Sequence, residues 1–304
     1  MSREAATKPQ SPTPLAVGEQ NPQPPPSVAL IAPGAMGSAL GRRLVDHGVR
    51  VVTSLEGRST ASAERAREAG IEAASSEDLI QADILLSVVP PAEALPLAQR
   101  FAALLARAAK KPVYTDCNAV NPATVRRIAD VIAATGADFV DAGIIGLPPK
   151  PNTPGPAIYC SGPAAHSLDV LTSHGLRIRR VEGPIGAASA LKMSYAGITK
   201  GLIAVASVMA LGATRAGVDR ALAAELAESQ PQLLALLQRM VPDMPSKAWR
   251  WVAEMQEISG FLDGVPGGSA LYQAVSELYR HIAADFPEGA DVAALQAFFM
   301  ERKP

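Results

Sequence analysis

One short segment restricts the fold more than any other. The apolar run Val28-Ala29-Leu30-Ile31 passes directly into Ala32-Pro33-Gly34-Ala35-Met36-Gly37, and then into a stretch with Leu40, Leu44 and Val45 on one helical face. A buried strand, a glycine turn and a helix in that order form the first unit of a parallel sheet, because a parallel partner strand can be reached only by a crossover. Gly48 ends the helix. The alternation then continues, with strands expected at 49–52, 71–73, 83–89, 112–116 and 137–141 and helices at 60–69, 92–108 and 122–134. Short strands at 157–160 and 177–181 are expected to finish the sheet. Strands alternating with helices predict a doubly wound, mostly parallel sheet covered on both faces. From Ile185 to Gly217 the pattern becomes one long Ala-rich helix, and further helices follow, including 271–284 and 290–301. The expected organisation is therefore a tail at 1–26, an α/β domain at 27–183 and an all-α domain at 184–304.

Composition narrows the function classes. The tail holds seven of the 26 prolines and almost no bulky apolar residue, which predicts disorder. A formal net charge of −1, from 28 basic and 29 acidic residues, argues against nucleic acid or an anionic membrane as the main partner. No uninterrupted apolar run approaches the ~18 residues of a membrane span, and the N-terminus lacks an apolar signal core. Two cysteines and four histidines without ligand spacing argue against a disulfide scaffold or a metal site. A cytoplasmic setting is the expectation.

The glycine turn predicts a dinucleotide. Gly34 would let the backbone approach a pyrophosphate, Gly37 would let the helix pack closely on the strand, and the N–H groups near Ala35 and Met36 would face the phosphates. Ala32 replaces the first glycine of the usual fingerprint. Beyond the second strand the chain reads Ser54-Leu55-Glu56-Gly57-Arg58-Ser59-Thr60. Arg58 and Ser59 suit a ribose 2′-phosphate, whereas Glu56 suits a free 2′-hydroxyl. NADP is expected, with NAD as the alternative. Val88, Val89 and Pro90, ending the fourth strand, are expected to line the nicotinamide ribose.

At this point the chain resembles the β-hydroxyacid dehydrogenase and 6-phosphogluconate dehydrogenase superfamily. The resemblance rests on Gly34-Ala35-Met36-Gly37, Asp116-Cys117-Asn118 with Pro122, Asp141-Ala142-Gly143 with Gly146, and Lys192 after Gly186. It runs in order from residue 28 to about 215. The segment Arg250 to Ile258 resembles the bacterial branch called phosphogluconate dehydrogenase-like, NAD-binding. The resemblance implies a Rossmann domain, hydride transfer with a small-molecule substrate, and a homodimer built through residues 185 to 304. The apolar run Leu202 to Leu211, with one hydroxyl and no charge, independently asks for a covering surface.

Lys192 is the expected general acid/base. It stands at the domain junction in an apolar stretch, where burial and a positive neighbour would tune it. Tyr195 and Thr199 follow at three and seven residues and are expected on the same helix face, either as a contact to the substrate oxygen and Tyr195 as the alternative proton donor. Asn118 would hold the nicotinamide carboxamide or a substrate oxygen, and Gly146 would border the substrate. Lys200 is expected to be a solvated charge. Trp251, Glu254 and Ile258 share one face of a packing helix that could wall the pocket.

The chain departs from the superfamily pattern at Asn118-Ala119, Ile145-Gly146-Leu147 and Ala196, where serines, glycines and an amide are usual. The reaction class therefore transfers better than the substrate. The expected function is an NADP-dependent oxidoreductase acting on a small hydroxy acid or carbonyl compound. The alternatives are an imine reductase acting on C=N and a non-catalytic NADP-binding protein.

Overall fold

The computed structural model describes residues 24–300; most of the proline-rich tail lies outside the described residues. Among the described residues eight strands form one sheet: β1 (Val28–Ile31), β2 (Val51–Thr53), β3 (Glu72–Ala73), β4 (Ile84–Ser87), β5 (Val113–Asp116), β6 (Phe139–Ile145), β7 (Ala157–Ser161) and β8 (Arg177–Arg180). Their order is β3-β2-β1-β4-β5-β6-β7-β8, and all neighbours are parallel except β6 and β7. This is the doubly wound arrangement, whose strand order reverses between β1 and β4 and opens a crevice there.

The helices of this half are α1 (Ala35–Asp46), α2 (Thr60–Glu68), α3 (Ser76–Leu79), α4 (Pro91–Arg107) and α5 (Pro122–Ala133). The short α3 has too few residues to show helical periodicity; a capping box of Ser75 and Asp78 forms it. Alternate strand residues feed two cores. Val28, Leu30, Ile84 and Leu86 pack on one face, while Ala29, Ile31 and Leu85 pack on the other. Gly37 explains the close seat of α1: a Cβ there would run into the Ala32 carbonyl oxygen.

The second half is helical: α6 (Ala187–Arg215), α7 (Asp219–Ser229), α8 (Pro231–Met240), α9 (Ala248–Phe261), α10 (Gly268–Asp285) and α11 (Ala290–Phe299). By length and composition α6 could cross a bilayer, with a mean hydropathy of 1.6 in its most apolar window. In the fold it packs against β6, α9, α10 and α11. A third core, with Met193, Ile203, Met255, Ile258 and Tyr279, joins these helices.

Two contacts seat α6 on the sheet. Asp141, fully buried on β6, accepts hydrogen bonds from Gly186 N (2.8 Å), Ser189 N (3.1 Å), Ser189 Oγ (2.6 Å) and Ser161 Oγ (2.9 Å). A carboxylate at the start of a 29-residue helix also meets the positive end of its dipole. Two residues on, Gly143 lets α6 lie against the strand, because a Cβ there would sit 2.9 Å from Lys192 Cβ. A third contact joins the halves through α9: Glu257 accepts from Asn121 N (2.8 Å) and Thr124 Oγ1 (3.1 Å) at the start of α5.

Candidate active site

The crevice at the carboxyl edge of the sheet is a cleft of about 680 Å³. Ser54, Glu56, Arg58, Val89, Pro90 and Arg100 are among its lining residues. The start of α1 carries no side-chain cap, and the space beside Gly34 is open. The leading N–H groups of a helix need partners from outside it. Backbone donors, positive dipole and open space together fit a pyrophosphate. Arg65 braces the turn, donating from Nε to the Pro33 carbonyl (3.2 Å). Neither Arg65 nor Arg100 is announced by a motif, since both reach the site from helices that follow other strands.

Arg58 and Ser59 separate. Arg58 lines the cleft, whereas Ser59 caps α2 and accepts a hydrogen bond from Ser62 N. Its hydroxyl also meets Ser62 Oγ at 3.2 Å. Ser59 serves first as the cap of α2, its oxygen accepting from Ser62 N. Val88 packs against the sheet core, and Val89 and Pro90 face the cleft.

Asn118 requires a correction. Its Oδ1 accepts from Val89 N at 2.6 Å, and its Nδ2 donates to Ser87 Oγ and Asp116 Oδ2, both at 2.8 Å. The side chain is buried and both amide protons are used, so it clamps the ends of β4 and β5 and has no proton to offer nicotinamide or substrate. Asp116 beside it is also buried. Burial raises its carboxyl to about 7, the hydrogen bonds from Asn118 oppose that rise, and Asp141 adds to it. Burial likewise raises the Cys117 thiol, so no reactive thiolate forms there.

Lys192 lies where α6 crosses the end of β6. Its Nζ donates to the Ile144 carbonyl at 2.6 Å, and its side chain is 20% exposed. The charged neighbour in contact is a carboxylate, with Glu254 Oε1 at 4.0 Å. This differs from the expected positive neighbour. Lys200 stands on the far side of Glu254, pairs with its Oε2, and lies 4.9 Å from the centroid of the Trp251 ring. The expectation of a solvated Lys200 is corrected: α9 covers it. Burial lowers the Lys200 ammonium against the opposing pull of Glu254. Burial raises the Glu254 carboxyl, but Lys200 and Lys192 outweigh that and hold it below the usual range.

Tyr195 is half exposed on α6. The Thr199 hydroxyl donates back to the Tyr195 carbonyl at 2.9 Å, a helix-internal bond that leaves it an acceptor for a ligand. Gly146 follows β6 at φ +130°, pressed against Pro156, and is exposed. Of the expected residues, the fold brings Lys192 and Gly146 to the end of β6 and Arg58, Val89 and Pro90 to the cleft. Glu254 and Lys200 join Lys192 without having been expected to do so. Glu254 shared a predicted face with Trp251 and Ile258, and a charge at the centre of an otherwise apolar face was the available signal.

A doubly wound sheet with an uncapped phosphate-binding turn, joined to a helical half through a long helix bearing a lysine, defines a dinucleotide-binding oxidoreductase. Residues 27–171 match the family model for the NAD binding domain of 6-phosphogluconate dehydrogenase, and residues 213–282 match a domain family of unknown function (DUF1932). The chain belongs to this family of NAD(P)-dependent dehydrogenases and reductases.

Among its relatives, an uncharacterized 28.5 kDa protein of Methanothermus fervidus is 31% identical over 180 residues, covering 59% of this chain and 67% of that protein. An NADPH-dependent reductive aminase of Aspergillus oryzae is 28% identical over 149 residues, covering 48% of this chain and 49% of the aminase, so the match spans about half of each. A solved conserved protein of unknown function, described as structurally similar to 3-hydroxyacid dehydrogenases, superposes with a TM-score of 0.67 at 27% identity. That match covers 90% of this chain and all of the other.

Proposed function

We propose that the protein is an NADP-dependent oxidoreductase interconverting a small hydroxy acid and its carbonyl compound, with Lys192 as general acid/base. The observation that carries this reading is the seat of Lys192 Nζ on the Ile144 carbonyl, at the carboxyl edge of the sheet where substrates of doubly wound folds bind. A bound nicotinamide dinucleotide supplies or accepts the hydride. The chain's task is to hold the substrate oxygen and to move one proton. In the reducing direction Lys192 gives a proton from Nζ to the forming alkoxide; in the oxidising direction its neutral amine takes one from the alcohol. Lys192 and Lys200 against the single carboxylate of Glu254 leave one positive charge uncompensated, which favours an acid over a neutral carbonyl compound. Tyr195 stands one turn from Lys192 and is the alternative donor of that one proton. Gly146 and Thr199 border the substrate. Arg58 at the cleft favours NADP by offering a guanidinium to a 2′-phosphate, with NAD the weaker cofactor.

Reduction of C=N is the second reading, favoured by the similarity to a reductive aminase. A panel of hydroxy acids, ketones and cyclic imines followed by NADPH absorbance separates the two. Binding of NADPH by calorimetry without turnover on any of them would indicate a non-catalytic NADP-binding protein. Lys192→Ala is expected to lower turnover ~10²-fold or more with NADPH affinity kept. Unchanged turnover would remove Lys192 from the chemistry.

The working unit in this reading is a homodimer in the cytoplasm. Leu191, Tyr195, Ile198, Val205 and Met209 are exposed along α6. With Leu202 they repeat at alternating steps of four and three, the seam of a helix that packs against another helix. A second copy supplies that helix. Light scattering at micromolar concentration is expected to give twice the chain mass, and a fully active monomer would overturn the assembly.

A further inference from the structure

Glu254 is a buried carboxylate that the proton transfer above does not use. It reaches from α9 between two lysines of α6, with its side chain 10% exposed. Oε2 accepts from Lys200 Nζ. Oε1 is buried and has no hydrogen-bond partner among the described residues. Lys192 Nζ lies 4.0 Å away from it. An ammonium carries three protons, and the Ile144 carbonyl takes one from Lys192. A shift of about 1 Å would bring a second proton to hydrogen-bond distance of Oε1.

Lys200 cannot make that shift. Its Nζ is paired with Oε2 and lies against the Trp251 ring, and its carbonyl accepts from Tyr279 Oη at 2.5 Å. The two lysines therefore have different freedoms around one carboxylate: Lys200 is fixed and Lys192 is tethered at one point.

On the reading of Lys192 as the acid/base, we infer that Glu254, anchored by Lys200, is its positioning residue. The free oxygen is the second holding point for Nζ, fixing the ammonium at the end of β6 between proton transfers. Glu254 acts through Lys192 and touches neither substrate nor cofactor. Its effect therefore belongs to the chemical step and not to binding.

Glu254→Gln keeps the shape and an oxygen for Lys200 while removing the charge. It is expected to lower kcat about tenfold with KM for the panel substrate and Kd for NADPH unchanged. Glu254→Asp should restore part of the loss. In a Lys192→Ala background, Glu254→Gln should cost nothing more, because coupled residues are not additive. An additive loss there would show a merely structural carboxylate and overturn the inference.

A second measurement needs no turnover. Acetic anhydride labelling of the cofactor-free protein, read by peptide mass spectrometry, compares Lys192 with exposed Lys150. The Lys192 rate should rise severalfold in Glu254→Gln, since a tethered ammonium is a protected amine. An unchanged rate overturns the positioning role. Because it reads the tether directly, this result decides the matter even if Lys192→Ala proves fully active, an outcome that would sink the acid/base reading alone. If Glu254→Gln does not fold with Lys200 unpaired, the double variant Glu254→Gln with Lys200→Met removes both charges and predicts the same rise.

Discussion

Two buried carboxylates hold the first half of α6, and they are satisfied in opposite ways. Asp141, at the start of the helix, accepts four hydrogen bonds from Gly186, Ser189 and Ser161. Glu254, on α9, meets two lysines and keeps one oxygen without a hydrogen bond. Saturation by backbone and hydroxyl donors makes a rigid frame, since every alternative position loses bonds. Charge without saturation leaves a group that a neighbour can approach and leave. The contrast separates what holds α6 in place from what the helix carries to the reaction.

The largest expected effect tests the frame. Asp141→Ala leaves the buried donors of Gly186 and Ser189 unpaired and should cost about 3 kcal/mol or more in urea unfolding. A loss under about 1 kcal/mol would mean that the start of α6 is held elsewhere, and the contrast with Glu254 would collapse. Gly143→Ala comes next. Its Cβ would meet Lys192 Cβ at 2.9 Å and the Ala188 carbonyl oxygen at 3.1 Å, so α6 must move back. Stability should fall by about 1–3 kcal/mol, and turnover by about tenfold as Lys192 is carried from its seat. Wild-type turnover in a folded Gly143→Ala protein would loosen the link between frame and chemistry.

Asp116 sharpens the comparison from a neighbouring strand. It pairs in register with Asp141, yet burial raises its carboxyl to about 7. A group whose folded value lies above its unfolded value binds more protons in the folded state, so its contribution is complete at low pH and declines as pH rises. The decline should run from about pH 4, the unfolded carboxylate value, to about pH 7, with a slope of at most about 1.4 kcal/mol per pH unit. Asp116→Asn should flatten that part of the stability profile measured by urea unfolding. An unchanged slope would assign it to other groups.

The smallest effect belongs to the cofactor cleft. Arg58→Ala should weaken NADP(H) about tenfold in calorimetry while leaving NAD(H) nearly unchanged. Equal losses would show that Arg58 does not meet the 2′-phosphate.

Local patterns announced much of the sheet half. Uninterrupted apolar runs marked β1 and β4, and Gly37 was correctly read as a packing glycine because its neighbours in space, Leu30 and Ala32, are also neighbours in sequence. The strand limits shifted by one or a few residues, since a ladder ends where its partner ends. Asp141 and Gly143 stood out only through the family resemblance; their partners on α6 lie tens of residues away. Asn118 was assigned outward because an amide at a sheet edge suits a ligand. Its partner Val89 comes from a strand end 29 positions earlier, and no local pattern reveals that the amide is already occupied.

By itself the sequence determined the order of strands and helices, the glycine turn and the long apolar helix with its lysine. These follow from side-chain period, backbone freedom and burial within a few residues. Tertiary structure alone decided which polar groups were already paired. Lys200 reads as a surface charge until α9, 54 residues further on, places Glu254 against it. Ser59 reads as a phosphate ligand, and only the fold shows that its hydroxyl also caps α2. Hydrogen bonds and ion pairs act over a few ångströms, and the chain must be folded before residues so distant in sequence come within that reach.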